Sequence, residues 1–89
     1  MKAIVTVVGK DRVGIIASVS GELARLNVNI LDIRQTTMQE YFTMMMLVDT
    51  EGCKVEFSQL QQALEALGRE IGEDIRLQHV DIFNSMHRV

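Results

Sequence analysis

The amino-acid sequence predicts an α+β sandwich in which a four-stranded antiparallel sheet, in the order 4-1-3-2, carries two helices on one face. Three observations lead there. Two stretches space their apolar residues three and four apart, as helices with one buried face do. Four shorter stretches are rich in β-branched or alternating apolar residues, as strands are. They follow one another as β-α-β-β-α-β, and right-handed crossovers interleave two split β-α-β units of that order into one sheet. At 89 residues, 47% of them hydrophobic and 24% charged, the chain holds one core and is read as a single domain over residues 1–89. It has no proline and no Ser/Gly-rich stretch to mark a linker.

Residues 2–8 (Lys-Ala-Ile-Val-Thr-Val-Val) are apolar on both faces, the pattern of a central strand. Residues 9–14 (Gly-Lys-Asp-Arg-Val-Gly) supply turn chemistry before Ile15, Ile16, Val19, Leu23 and Leu26 line up on one helix face. Asn27 tolerates the left-handed conformation that ends a helix. Residues 28–37 read as a second strand, with Asn29, Leu31 and Ile33 on one face and Val28, Ile30, Asp32 and Arg34 on the other. A turn at Met38-Gln39-Glu40 leads to a third strand over residues 41–48, where Phe42, Met44, Met46 and Val48 oppose Tyr41, Met45 and Leu47. Residues 49–52 close it. Phe57, Leu60, Leu64, Leu67 and Ile71 make the second helix face, opened by a Ser58/Gln61 capping box or by a start two residues earlier, and ended by Gly72. Residues 75–83 form the fourth strand and residues 84–89 a tail. The resulting ferredoxin-like sandwich leaves one sheet face bare although its strands are apolar on both faces. Contiguous exposed apolar surface marks an interface, so either the bare face or an edge strand is expected to meet another subunit.

Composition excludes several functions. A formal net charge of −3 does not favour nucleic acid or an anionic membrane surface as partner. The longest apolar run, residues 44–48, is far short of the roughly 20 residues of a membrane span. Residues 3–8 imitate the apolar part of a signal peptide, but Lys10, Asp11 and Arg12 interrupt it and no small-x-small cleavage site follows. A single cysteine, Cys53, forms no internal disulfide and points to the reducing cytoplasm. His79, His87 and Cys53 match no zinc spacing, and neither metal nor cofactor is expected. Gly9 and Gly14 have the spacing of a phosphate-binding loop, but Ile15-Ile16 stand where Lys and Ser/Thr are required. Three Phe and one Tyr are too few for a stacking RNA-binding sheet. Alternation sends Met44, Met45 and Met46 to opposite faces, as packing residues rather than soft ligands.

The informative segment is the turn before the first helix, whose unpaired backbone N–H groups and dipole favour an anion. Asp11 is placed to cap the helix or to hold an ammonium, and Arg12 to pair a carboxylate or to stay solvated. Residue by residue, capping is the stronger reading. A missing side chain at Gly14 would allow a ligand or a second backbone to come close.

Here the run Val5-Thr6-Val7-Val8-Gly9-Lys10-Asp11-Arg12-Val13-Gly14-Ile15-Ile16, with Leu-Ala-Arg-Leu-Asn-Val-Asn-Ile at residues 23–30 and Asp32, resembles the ACT domain, a regulatory module of amino-acid metabolism. The resemblance covers essentially the whole chain. It resembles small stand-alone ACT proteins related to the glycine-cleavage repressor, and residues 83–89 are similar to the tail of one subgroup of them. Val13 replaces the proline usual in the family's turn. The resemblance implies an amino acid or similar metabolite bound between two ACT units of a homodimer, with Asp11, Arg12, Val13 and Gly14 from one turn and Asn29 and Ile30 from the neighbour's second strand. Such a module would act through a protein partner and not as an enzyme. Two other readings stand beside it. One is an assembly module whose ligand site is vestigial. The other is a small enzyme like the acylphosphatases, whose Arg and Asn are echoed by Arg12 and Asn29, although Gly14-Ile-Ile-Ala-Ser departs from their Gly-Val-x-Phe-Arg turn.

Overall fold

The computed structural model describes residues 1–82. Their elements run β1 (Lys2–Lys10), α1 (Ile15–Arg25), β2 (Asn29–Met38), β3 (Tyr41–Asp49), α2 (Phe57–Ile71) and β4 (Glu73–His79). The strands form one antiparallel sheet in the order β2-β3-β1-β4, which is 4-1-3-2 read from the other edge. The expected ferredoxin-like topology is therefore the one observed.

The two faces of the sheet are unequal. Ala3, Val5 and Val7 of β1 and Met44, Met46 and Val48 of β3 are fully buried beneath the helices, joined by Ile75 and Leu77 of β4. The helices contribute Ile15, Val19 and Leu23 from α1 and Leu60 and Leu64 from α2. Burying a side chain of this kind stabilises the fold by about 1.5–3 kcal/mol, so these positions hold the sandwich closed.

The helix ends have identifiable local causes. Past α1, Asn27 takes a φ of 62°, donates its N–H to the Ala24 carbonyl at 3.0 Å, and sends its side-chain amide to the Gly52 carbonyl at 2.8 Å. The α2 helix starts at the earlier of the two expected places: Glu56 is the cap and its N–H donates to Gln59 Oε1 at 3.0 Å, so Glu56 and Gln59 form the capping box and Ser58 and Gln61 do not. Gly72 ends the helix at a φ of 78°.

Three strands differ from expectation in extent or register, beyond one-residue shifts at the ends of β2 and β3. The β1 strand continues through Gly9 and Lys10, which pair with Phe42 and Tyr41, so only residues 11–14 are left for the turn. The β4 strand begins at Glu73 and stops at His79, where residues 80–82 turn helical; the expected strand end at Phe83 and the tail, with His87, lie outside the described residues. In β2 the register slips between Ile30 and Asp32, leaving Leu31 as an extra residue opposite β3. That bulge resets the alternation. Ile30 opposite Val48 and Ile33 opposite Met46 share the helix face, while Asn29, Asp32 and Arg34 share the other, in place of the unbroken alternation the sequence suggested.

Candidate functional site

Residues 11–14 cross from the end of β1 to the start of α1. Asp11 N–H donates to the Glu40 carbonyl at 2.7 Å, which ties the loop to the turn between β2 and β3. Asp11 does not cap the helix as expected. The cap position belongs to Gly14, in the left-handed region at φ 89° and ψ 6°, and no side chain caps the first turn or places an acid there. The cause is conformational: the chain enters α1 through a positive φ that a glycine adopts without strain, and a glycine has no side chain to offer as acceptor. The first turn lines, with the loop, a groove of about 440 Å³ formed by Asp11, Arg12, Gly14, Ile15, Ile16, Ala17 and Phe42. A β-carbon on Gly14 would meet nothing within 4 Å, and Val13 beside it is fully exposed.

Arg12 is not simply solvated. Its guanidinium reaches toward β4, where Nε lies 3.7 Å from Glu73 Oε2, and it passes over Gly72. The Glu73 side chain is 0% exposed, and neither of its oxygens has a hydrogen-bond partner among the described residues. It lies across Gly9, where a β-carbon would stand 2.6 Å from Oε1. Burial pushes the Glu73 carboxyl above the ordinary carboxylate range; Arg12 opposes the shift and Asp11 adds to it. Glu73 escaped the sequence reading because an acid after a helix-ending glycine looks like a solvated turn. The available signal was Gly9, since a glycine inside a strand marks a close approach.

The other expected site residues lie elsewhere. Asn29 is exposed at the start of β2, opposite Asp49, and lines a groove of about 600 Å³ with Ala24, Asn27, Val28, Asp49, Glu51 and Gly52. Ile30 is half-buried and packs against the core. In that groove Asp49 accepts from Glu51 N–H at 3.0 Å and from the N-terminal ammonium at 3.2 Å, contacts that in this order lower its carboxyl pKa. Asp49 pairs with Lys2 at one end of β1 and Tyr41 pairs with Lys10 at the other. At about 3.3 Å per residue, Asn29 and the 11–14 loop are roughly 25 Å apart. One chain brings Asp11, Arg12, Val13 and Gly14 together and leaves Asn29 and Ile30 at the far end. The acylphosphatase-like pairing of Arg12 with Asn29 does not form within it.

The sheet face away from the helices carries Ile4, Met45 and Leu47, half-buried, with Val8 and Tyr41 exposed. A depression of about 200 Å³ among Ile4, Asp32, Arg34, Met45 and Leu47 sits within this strip. Ion pairs border it on both edges, Asp32 with Arg34 at 3.3 Å on β2 and Asp74 with Arg76 at 3.4 Å on β4. His79 is half-buried with its ring 4.5 Å from that of Phe57, and Cys53 is a half-buried free thiol. Among the described residues, no three His, Cys, Asp or Glu side chains gather as metal ligands, and no helix is long and apolar enough to cross a membrane.

The family model for the ACT domain matches residues 2–78, nearly the whole described chain. The chain belongs to the ACT domain family. A UPF0237 protein of Clostridium acetobutylicum is 55% identical over 89 residues, covering 100% of both chains. Among solved structures, an ACT domain protein from Streptococcus pneumoniae matches with a TM-score of 0.82 and 49% identity over 93% of each chain. The regulatory subunit of aspartate kinase from Thermus thermophilus matches with a TM-score of 0.68 and 25% identity, over 86% of this chain and 50% of that one. ACT domains are in general regulatory ligand-binding modules, and the small UPF0237 relatives share the full length of this one.

Proposed function

We propose that this protein is a cytoplasmic amino-acid sensor: a homodimer that binds an amino acid or similar small metabolite between its two copies and regulates a protein partner, without catalysis of its own. The observation that carries this reading is the separation of the two residue groups that the ACT resemblance implies. The loop with Asp11, Arg12, Val13 and Gly14 lies at one end of the sheet, past β1, and Asn29 with Ile30 opens β2 at the opposite end. A second copy running the other way would set its Asn29 beside the first copy's loop, which the fold of one chain does not do.

The chemistry fits a carboxylate at the loop. Uncapped N–H groups of the first turn of α1 favour an anion by about 0.3–2 kcal/mol, and even millimolar binding needs about 4 kcal/mol. The rest must come from groups excluded from water between the two copies. Asp11 is the candidate for the ammonium and Asn29 of the second copy for a further hydrogen bond. Arg12 helps less than its charge suggests, because Glu73 already holds it.

Calorimetry of the intact dimer with each common amino acid at millimolar concentration tests the reading. Heat of binding is expected for one of them or a few of similar side chain. Asn29→Ala is expected to weaken that binding while leaving the thermal midpoint of the unliganded protein nearly unchanged. No heat for any amino acid refutes the sensor. The apolar strip with Val8, Tyr41 and Met45 would then favour an assembly module in its place.

A further inference from the structure

The loop proposed to take the ligand has few evident supports of its own. Asp11, Arg12, Val13 and Gly14 are all exposed, and no side chain caps the helix that follows. On one side the Asp11 N–H holds the Glu40 carbonyl. On the other the Arg12 guanidinium reaches Glu73.

The Glu73 end of that tie is buried. Its carboxylate is enclosed, with both oxygens lacking hydrogen-bond partners among the described residues. It fills the space over Gly9 that any other residue's β-carbon would take, at 2.6 to 2.9 Å from all three carboxylate atoms. From the helix side, a β-carbon on Gly68 would press on the Glu73 carbonyl oxygen at 2.5 Å, and one on Gly72 would approach Arg12 Nη2 at 3.3 Å. Gly9 thus leaves room for the carboxylate, Gly68 for the Glu73 backbone, and Gly72 for the arginine beside it. The charged groups that act on Glu73 are Arg12 and Asp11, both from the loop, and β1 meets its carboxylate at Gly9. A buried carboxylate without its cation is disfavoured, so a charged Glu73 favours Arg12 in this seat.

The geometry points to Glu73 as the positioning residue of the ligand loop: lying outside the groove, it anchors Arg12 against the end of α2 and so fixes residues 11–14 in the conformation that presents the first-turn N–H groups of α1. The inference rests on the sensor reading for its functional meaning, but the brace itself is testable without a ligand. Protonating Glu73 removes the charge that holds Arg12. Loop order is then expected to follow the titration of this one carboxyl, whose burial moves it above the range of ordinary acids.

The test is an NMR pH titration of the wild-type protein beside Glu73→Gln, which keeps size and shape. In wild type, the amides of Gly9, Arg12 and Gly14 and the Arg12 Nε–H are expected to shift with one shared midpoint, while the amide of Asn29 at the far end does not. In Glu73→Gln that shared transition is expected to vanish, with the melting transition still cooperative. For an amino acid that binds wild type, affinity in the variant should fall about tenfold, within the usual range of coupling between sites. Loop resonances that ignore the Glu73 titration in wild type would overturn the inference, even if the variant fails to fold. So would a variant that folds and binds with unchanged affinity and pH profile. Loop resonances that titrate as expected while no amino acid binds either protein would uphold the brace and refute the sensor.

Discussion

Replacing Gly14 by alanine separates the conformational role of this residue from its place in the proposed site. Gly14 has φ 89° and ψ 6°, where an L-residue brings its β-carbon too near the following carbonyl oxygen, at a cost of roughly 1–2 kcal/mol. No collision adds to this, since a β-carbon there meets nothing within 4 Å. The stiffer unfolded chain contributes nothing in return, because the native conformation is one that alanine resists. The expected loss is therefore about 1–2 kcal/mol, against about 5–15 kcal/mol for a typical domain. In a domain of this size each kcal/mol lowers the thermal midpoint by roughly 4–8 °C. The added methyl would stand in the open mouth of the groove, where the ligand's carboxylate must approach the N–H groups. A tenfold or greater loss of amino-acid affinity, about 1.4 kcal/mol, is expected from that obstruction. Urea unfolding measures the first quantity and calorimetry of the dimer the second. A stability loss well above about 3 kcal/mol would refute the steric reasoning, and unchanged affinity would remove the ligand from this end of α1.

Other predictions rest on different parts of the molecule. Gly21 and Gly68 both lie inside helices, but a β-carbon on Gly21 meets open space and one on Gly68 meets the Glu73 carbonyl oxygen at 2.5 Å. Gly21→Ala is expected to stabilise by about 0.5–1 kcal/mol, and Gly68→Ala to destabilise by about 1–3 kcal/mol; urea denaturation of the two variants with the same sign would contradict this. Met45→Lys puts a charge in the middle of the strip away from the helices, and sedimentation should show a monomer with an unchanged fold if that face joins two copies. Acid unfolding should carry two opposite contributions. The depressed Asp49 stabilises above the ordinary carboxylate range and loses that effect as pH falls through its lowered pKa, so Asp49→Asn should blunt acid denaturation. The raised Glu73 costs stability at neutral pH and returns it as pH falls from its raised pKa to the unfolded value, a slope that Glu73→Gln should abolish in thermal melts run against pH.

The sheet order was legible because the two strands at its centre are patterned without ambiguity. Residues 2–8 and 41–48 alternate so that either face could be buried, and β1 and β3 are the strands the sheet encloses. Helix ends were legible where one residue type has a physical reason to stand, as at Asn27 and Gly72. The bulge at Leu31 was hidden because Leu, Ile and Ile around it satisfy either register, and only the partner strand decides which residue is extra. The 11–14 loop could be named as a site from its place before a helix and from its family resemblance. What could not be read was the use of its charges. Asp11 looks like a cap, but the positive φ at Gly14 moves the cap past it; Arg12 looks free, but its counter-charge is 61 residues later in the chain, at Glu73.

The β2 strand stands apart from the rest of the fold. Within its ten residues only Ile30 is even half-buried, and one of its edges carries no partner strand among the described residues. Ordering the backbone of each residue costs about 1–2 kcal/mol, and this strand returns little of that through burial. It is therefore the part of the sheet with the lowest barrier to opening, where amide protons should exchange first. An open strand edge is also a template for other strands, and natural proteins guard such edges with bulges and charges. Here the guards, the bulge at Leu31 with Asp32 and Arg34, stand at the first half of the strand. The second half, Gln35-Thr36-Thr37-Met38, has none. When copies of this chain are crowded beyond what its native assembly covers, aggregation should start from that unguarded half, and a lysine at Thr37 is the change that would slow it.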